Sequence, residues 1–199
     1  AVLVDADFLN TLPSEQMRSG LAEIYKHGLI ADKNYWNSMV DLTTLTTDDL
    51  AQLIKKSVEI KNNIVEQDPF EKGLRKLLNF GHTLGHAIES YFLGSNEKTT
   101  LLHGEAVAVG MILESYLSVQ IGLLPLGIYR EIKLVLNSVY PIINFTDEDV
   151  ETIINLLVHD KKNEFGKVQF VLLENIGKAK TDQIVEKELI YKAFAEYKS

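Results

Sequence analysis

The stretch "LRKLLNFGHTLGHAIES", Leu74 to Ser90, sets four polar side chains among leucines. Read as one helix at about 100° per residue, it gathers Arg75, Asn79, His82 and His86 into a sector of roughly 60°. Leu77, Leu78, Leu84 and Ile88 take the other faces. The plain alternative is a helix whose polar face is merely solvated. Such faces usually mix Glu and Lys, whereas Arg, Asn and two His suit binding better. Gly81 and Gly85 lie on a different side, one turn apart. Each costs roughly 1 kcal/mol against alanine, so something should pack closely there. Upstream, Asp68-Pro69-Phe70-Glu71 reads as the start of this helix, with an Asp N-cap, a Pro at N1 and a Glu at N3.

Working outward, helical periodicity dominates. "TLPSEQMRSGLAEIYKHGLI" begins with the start signal Pro13-Ser14 and ends near Gly28. "TTDDLAQLIKKSVEIKNNIVEQ" is a second amphipathic helix, capped by Thr47 or Asp48. After the polar loop Gly94 to Thr100, "LLHGEAVAVGMILESYLSVQIG" is a helix buried on most sides. Two further helices are expected over Leu126 to Ser138 and Asp147 to Val158. "KVQFVLLENIGKAKTDQ" alternates and turns at Ile176-Gly177, a β-hairpin pattern. A closing helix starts near Lys187. The fold class is therefore mainly α, multi-helical, with a small C-terminal β-hairpin.

The 199 residues suit one good-sized domain or two small ones. A hydrophobic content of 46% with 24% charged residues excludes a disordered chain. With no cysteine, any metal must be held by His, Asp or Glu. A net charge of −8 argues against non-specific nucleic-acid binding, which needs a basic face. The apolar stretch Leu101 to Tyr129 is interrupted by His103, Glu105 and Glu114, which argues against a membrane span. The opening "AVLVDADFLNTLP" has no basic signal-peptide region and no starting methionine, and it reads like the interior of a longer protein. A cytoplasmic location fits these features.

His-x-x-x-His on a helix is a chelating geometry, so spacing alone pairs His82 with His86. The Glu that a helical metalloprotease carries after the first His is missing; Thr83 stands there. His103, beside Gly104 and Glu105 at a helix start, is a third candidate. His27 and His159 read as ordinary surface or capping histidines. Lys26, Lys61, Arg75 and Lys161-Lys162 stand scattered through an acidic chain. Converging on the histidines, they would form a pocket for a small substrate bearing phosphate or carboxylate.

These motifs carry a resemblance. "GLRKLLNFGHTLGHAIE" (73–89) and "LHGEAVAVGM" (102–111), preceded by "SGLAEIYKHGLI" (19–30) and "FLNTLP" (8–13), are similar to the C-terminal, metal-binding half of the 3-dehydroquinate synthases. A "DKKN" signature at Asp160 to Asn163 adds to it, and the likeness runs in order from about Val2 to Ile176. It implies that residues 1–12 are the end of the NAD-binding half and a connector, and that 13–199 form the helical metal- and substrate-binding domain.

By the same resemblance the metal ligands are Glu23, His82 and His103, which replaces the spacing-based pair and leaves His86 facing the substrate. The ion would be Zn²⁺, or Co²⁺, with open coordination positions. Arg75 and Lys61 resemble residues that hold the substrate carboxylate. Lys26, Asn79 and Glu71 resemble those that bind ring hydroxyls, and Lys161, with Lys162, those on the phosphate side. Phe8, Leu9, Asn10 and Thr11 match a segment lying against NAD. Gly20 and Gly104 belong to the motifs and read as backbone-packing positions.

The implied reaction is a phosphate-eliminating cyclisation in the shikimate pathway of aromatic amino acid biosynthesis. 3-Deoxy-D-arabino-heptulosonate 7-phosphate is oxidised at one carbinol by NAD, loses phosphate, is reduced, opens, and closes by an aldol step to 3-dehydroquinate. The implied enzyme is a cytoplasmic lyase, a homodimer at full length, with a small anionic sugar phosphate as its partner and neither nucleic acid nor membrane. No G-x-G-x-x-G is present, so this chain alone is expected to bind NAD poorly and to be inactive. Tyr25 and His27 depart from the commoner pattern around Glu23 and Lys26. The competing readings are another sugar-phosphate cyclase, a metal-dependent polyol dehydrogenase, and a helical interaction module without chemistry.

Overall fold

A computed structural model describes residues 5–40, 46–95, 98–158 and 168–199. A short 3-10 helix, Ala6–Thr11, leads into α1 (Ser14–Ala31), α2 (Lys33–Asn37) and α3 (Thr47–Gln67). A second 3-10 helix, Leu74–Asn79, precedes α4 (His82–Gly94), α5 (His103–Gln120), α6 (Leu126–Val139) and α7 (Asp147–Val158). The hairpin β1 (Gln169–Asn175) and β2 (Lys178–Ile184) and the helix α8 (Lys187–Tyr197) close the chain. The mainly helical fold with one small antiparallel hairpin is as the periodicities indicate.

α5 is the axis of the core. Nearly all of it from Gly104 to Ser118 is buried, Glu114 included. α4, α1, α6, α8 and β1 pack around it. A helix apolar on every side must be enclosed by others, and this one is. Among the described residues no helix is long and apolar enough to cross a membrane. The hairpin turns at Gly177, whose φ of 80° favours glycine, and its N–H donates to the Leu29 carbonyl at 2.8 Å.

The opening motif is not one helix. Asp68 ends α3, and its carboxylate accepts the N–H groups of Lys72 (3.0 Å), Gly73 (2.8 Å) and Arg75 (3.0 Å). It caps a turn and a 3-10 helix, not an α-helix N-terminus. Glu71, at φ 56°, is not the N3 residue of a capping box. The chain breaks again at Gly81, where φ is 77°. Arg75 and Asn79 thus sit on the 3-10 helix, and His82 and His86 on α4.

The close packing expected at the two glycines is present: a Cβ would lie 2.4 Å from Met111 Cγ at Gly81 and 3.1 Å from Val107 Cα at Gly85. Gly20 is different, with nothing within 4 Å, so it is not a packing position. The cap of α3 is Thr46, one residue before the expected pair. Thr46 Oγ1 accepts from Asp49 N–H while Asp49 accepts from Thr46 N–H. The short α2, absent from the sequence reading, is capped by Asp32 and buries Tyr35 and Trp36.

His27 is not a surface residue. It is 2% exposed, and its Nδ1 lies 2.7 Å from Ser57 Oγ. Burial, then the nearby positive charge of Lys26, pushes its pKa down to about 4. Above pH 6.5 neither the folded nor the unfolded chain protonates this ring. Between 6.5 and 4 the unfolded chain takes up a proton that the folded one refuses, so stability falls as pH falls. The loss should approach about 3 kcal/mol by pH 4. Urea unfolding at pH 7 and 4.5 should show that loss in the natural chain, with His27→Leu flattening the difference by roughly 2 kcal/mol. An unchanged pH dependence in the variant would refute the assignment.

Candidate metal centre and substrate cavity

Three helices build the site, and a clamp between α1 and α5 sets their spacing. Gly104 N–H donates to Ser19 Oγ at 3.0 Å, and a Cβ on Gly104 would lie 2.0 Å from the Ser19 carbonyl oxygen. This approach needs glycine, as the sequence reading held. Arg18 Nη2 lies 3.5 Å from Glu105 Oε1 alongside. Glu23 is one turn beyond Ser19 on α1, and His103 is the first residue of α5, so the clamp brings both to the same region.

The ring centroids of His82 and His103 are 5.4 Å apart, those of His82 and His86 5.2 Å, and those of His86 and His103 5.6 Å. One ligand atom from each of the three lies within 4.8 Å of the others. Glu23 joins this cluster through His82. Its Oε2 accepts from Lys26 Nζ at 2.7 Å. Its Oε1 is buried, makes no hydrogen bond, and lies 3.4 Å from His82 Nε2.

The donor set fits a divalent cation. His82 Nδ1 is 3.1 Å from the Phe80 carbonyl, which can only accept, so Nδ1 carries the proton and Nε2 presents a lone pair. A buried carboxylate oxygen without a hydrogen bond, facing that lone pair, calls for a positive charge between them. His103 Nδ1 lies 2.9 Å from Glu89 Oε2, the carboxylate–histidine pairing that orients metal-binding imidazoles. His82, His86 and His103 cluster at ligand spacing, and Glu23 meets that cluster at His82.

Electrostatics favour an ionised Glu23. Burial acts to raise its pKa, but in the metal-free chain the His82 ring, in its doubly protonated form, and the Lys26 ammonium outweigh it and hold the carboxyl far below its ordinary range. Lys26 is 2% exposed. Burial pushes its pKa down, and Glu23 only partly restores it. Lys61, exposed on α3, is close enough to lower it further by charge repulsion.

Beside the histidines opens a cavity of about 410 Å³. Glu71, Asn79, His82 and His86 line one side, and Gln169, Phe170 and Asp182 of the hairpin line another. Asn79 Nδ2 donates to Glu71 Oε1 at 2.7 Å, so two of the three residues expected at the ring hydroxyls meet on the cavity wall. Arg75 instead donates from Nη1 to the Pro69 carbonyl at 2.9 Å, within its own loop. Phe8, Leu9, Asn10 and Thr11 form the first 3-10 helix, with Phe8 76% exposed. Leu9 and Glu23 line a separate apolar cleft between that helix, α1 and α3. Lys161, Lys162 and His159 lie outside the described residues.

The sequence reading missed Glu89, Lys76, Asp182 and the role of Glu114. Lys76 Nζ pairs with Asp182 Oδ1 at 2.7 Å on the cavity wall, a contact across 106 residues that no local pattern signals. Glu114 did have a signal, as a lone carboxylate in an otherwise apolar helix.

Comparisons with known proteins point to one family. The family described as 3-dehydroquinate synthase C-terminal matches residues 20–163. A 3-dehydroquinate synthase from Parabacteroides distasonis is 42% identical over 199 residues, covering 99% of this chain and 56% of the relative. One from a Sulfurovum species is 36% identical, covering 96% and 53%. The chain thus spans about half the length of the curated relatives it matches. Among solved structures, 2-epi-5-epi-valiolone synthase from Streptomyces hygroscopicus, with NAD+ and Zn²⁺ bound, superposes with a TM-score of 0.81 at 25% identity, covering 98% of this chain and 55% of that one. 2-Deoxy-scyllo-inosose synthase, complexed with carbaglucose-6-phosphate, NAD+ and Co²⁺, gives 0.75 at 26% identity, covering 96% and 55%. With the family match running over residues 20–163 and a relative 42% identical across 99% of the chain, the chain belongs to the 3-dehydroquinate synthase C-terminal family.

Proposed function

We propose that this chain is the metal- and substrate-binding half of a 3-dehydroquinate synthase, which converts 3-deoxy-D-arabino-heptulosonate 7-phosphate to 3-dehydroquinate and phosphate. The observation that carries the reading is the Glu23 carboxylate, lacking a hydrogen bond on Oε1, set against His82 Nε2 beside His103 and His86. Residues 1–12 are the connector from a nucleotide-binding half, and 13–199 the helical domain. When bound, a Zn²⁺ or Co²⁺ ion supplies Lewis-acid polarisation of a substrate hydroxyl, and NAD supplies the reversible oxidation.

The chain's own residues do the rest. Glu23, His82 and His103 are the ligand set, and Lys26 keeps Glu23 ionised while holding one of its oxygens. The Asn79–Glu71 pair, lining the cavity, orients ring hydroxyls. Lys61 and Arg75 hold the carboxylate, which requires Arg75 to leave the Pro69 carbonyl. His86 exchanges a proton where phosphate departs, and Lys161 with Lys162 neutralises the phosphate. Phe8 to Thr11 lie against NAD. The full-length enzyme is a homodimeric cytoplasmic lyase of the shikimate pathway, and this half alone is inactive.

A second reading is favoured by the solved neighbours, both cyclases of other products. The two separate by assaying phosphate release from the full-length protein. The heptulosonate phosphate should exceed glucose 6-phosphate in kcat/KM by roughly a hundredfold or more, because cations placed for a carboxylate are left unpaired by a substrate lacking one. Preference for glucose 6-phosphate would overturn the first reading.

A further inference from the structure

α4 begins at His82 with no capping side chain of its own. Its N-cap is Gly81 in the left-handed region, where a Cβ would also lie 3.0 Å from the Val107 carbonyl oxygen. The first N–H groups of a buried helix start still need acceptors. They find them on α5, thirty residues on. Glu114 Oε2 accepts from Gly81 N–H at 2.6 Å, and Oε1 from Leu84 N–H at 3.1 Å. The glutamate is 0% exposed.

Gly110, one turn before Glu114, is what lets α5 come this close. A Cβ there would lie 2.0 Å from the Gly81 carbonyl oxygen. The cap therefore fixes the backbone on both sides of His82, from Gly81 to Leu84. The His82 ring leans back on the Phe80 carbonyl through Nδ1, just before the capped turn. Its Nε2 is thereby delivered towards Glu23.

We propose that Glu114 is a positioning residue for the metal centre. It caps α4 from the neighbouring helix, and in doing so it sets the tautomer and direction of His82. It meets neither ion nor substrate. A cap that served only stability would leave the ring unaffected once the chain is folded; a positioning residue changes the ring itself. The proposal rests on His82 being a metal ligand.

The test uses the 199-residue chain, with Glu114→Ala, Glu114→Gln and, as a control for lost core packing, Ile132→Ala in α6. Long-range ¹H–¹⁵N spectra of the metal-free proteins report the His82 tautomer, and competition titration with Zn²⁺ reports affinity. The Nδ1–H form should dominate in the natural chain and lose its dominance in Glu114→Ala. Zinc affinity should fall about 10- to 100-fold in Glu114→Ala and stay within about twofold in Ile132→Ala. An unchanged tautomer or affinity in Glu114→Ala, or an equal loss of affinity in the control, overturns the proposal. Should Glu114→Ala fail to fold, Glu114→Gln, which keeps one acceptor oxygen, decides it. A weakening of roughly threefold or more supports the role, and natural affinity overturns it. If the natural chain itself takes up no zinc, the metal reading fails, and the tautomer measurement alone decides the role of Glu114.

Discussion

Purified without chelator, the natural chain should retain about one divalent ion, and His82→Ala should lose it. The expected weakening is about a thousandfold or more, or ~4 kcal/mol at 1.4 kcal/mol per tenfold. His82 is the hinge of the site, because it touches Glu23 (3.4 Å) while packing against both other rings. Removing it leaves the buried Glu23 oxygen facing a gap. Glu23→Ala and His103→Ala should have comparable effects on the ion. His86→Ala is the informative contrast, because spacing makes it a partner of His82 while the family resemblance turns it to the substrate. It should keep the ion within about tenfold and, in the full-length enzyme, lower kcat by roughly 10²–10⁴, the range of a lost general acid or base. Metal content by mass spectrometry and steady-state kinetics check both. Loss of the ion in His86→Ala with retention in Glu23→Ala would reverse the ligand assignment.

Gly110→Ala should be among the most destabilising single-methyl additions in the chain. The added carbon would sit 2.0 Å from the Gly81 carbonyl oxygen and 2.9 Å from Gly85 N, all backbone that cannot step aside. α5 would have to move away from α4, withdrawing the Glu114 cap. Overpacking of this kind costs about 3 kcal/mol, offset by only about 1 kcal/mol of helix propensity. A net loss near 2 kcal/mol lowers Tm by roughly 4–8 °C in a chain of this size. Gly20→Ala should do the opposite. That glycine lies inside α1 with nothing within 4 Å, so the same propensity term should raise stability by up to ~1 kcal/mol. Calorimetry on the pair tests the sign of each change, and a neutral Gly110→Ala would show that the α4–α5 approach is looser than described.

The outcome at Gly20 and Gly110 illustrates what a sequence can and cannot show. Both are glycines within helical periodicity, and no local pattern separates them. What separates them is which backbone arrives from elsewhere in the chain. The same holds for two of the histidines. His27 looks like any histidine on an amphipathic helix until Ser57 of α3 covers it. His86 looks like a chelating partner of His82 from spacing and remains in the cluster, so its role turns on which atom faces the ion.

By itself the sequence determined the elements and the chemistry available. Periodicity, the Pro13 start, the Ile176-Gly177 turn and the all-apolar run of α5 set local preferences that packing then reinforced. The absence of cysteine restricted metal ligands to carboxylates and imidazoles. Only the tertiary structure decided where the opening motif breaks, because φ at Gly81 is held by Met111 and Val107, and because the cap of α4 comes from Glu114 on another helix. It alone set Glu23 against His82, 59 positions further along the chain, and drew α5 to α1 through a clamp at Ser19 and Gly104. Helical periodicity records which face of a segment is buried. It does not record which distant donor or acceptor meets that face, and the metal centre is made of such meetings.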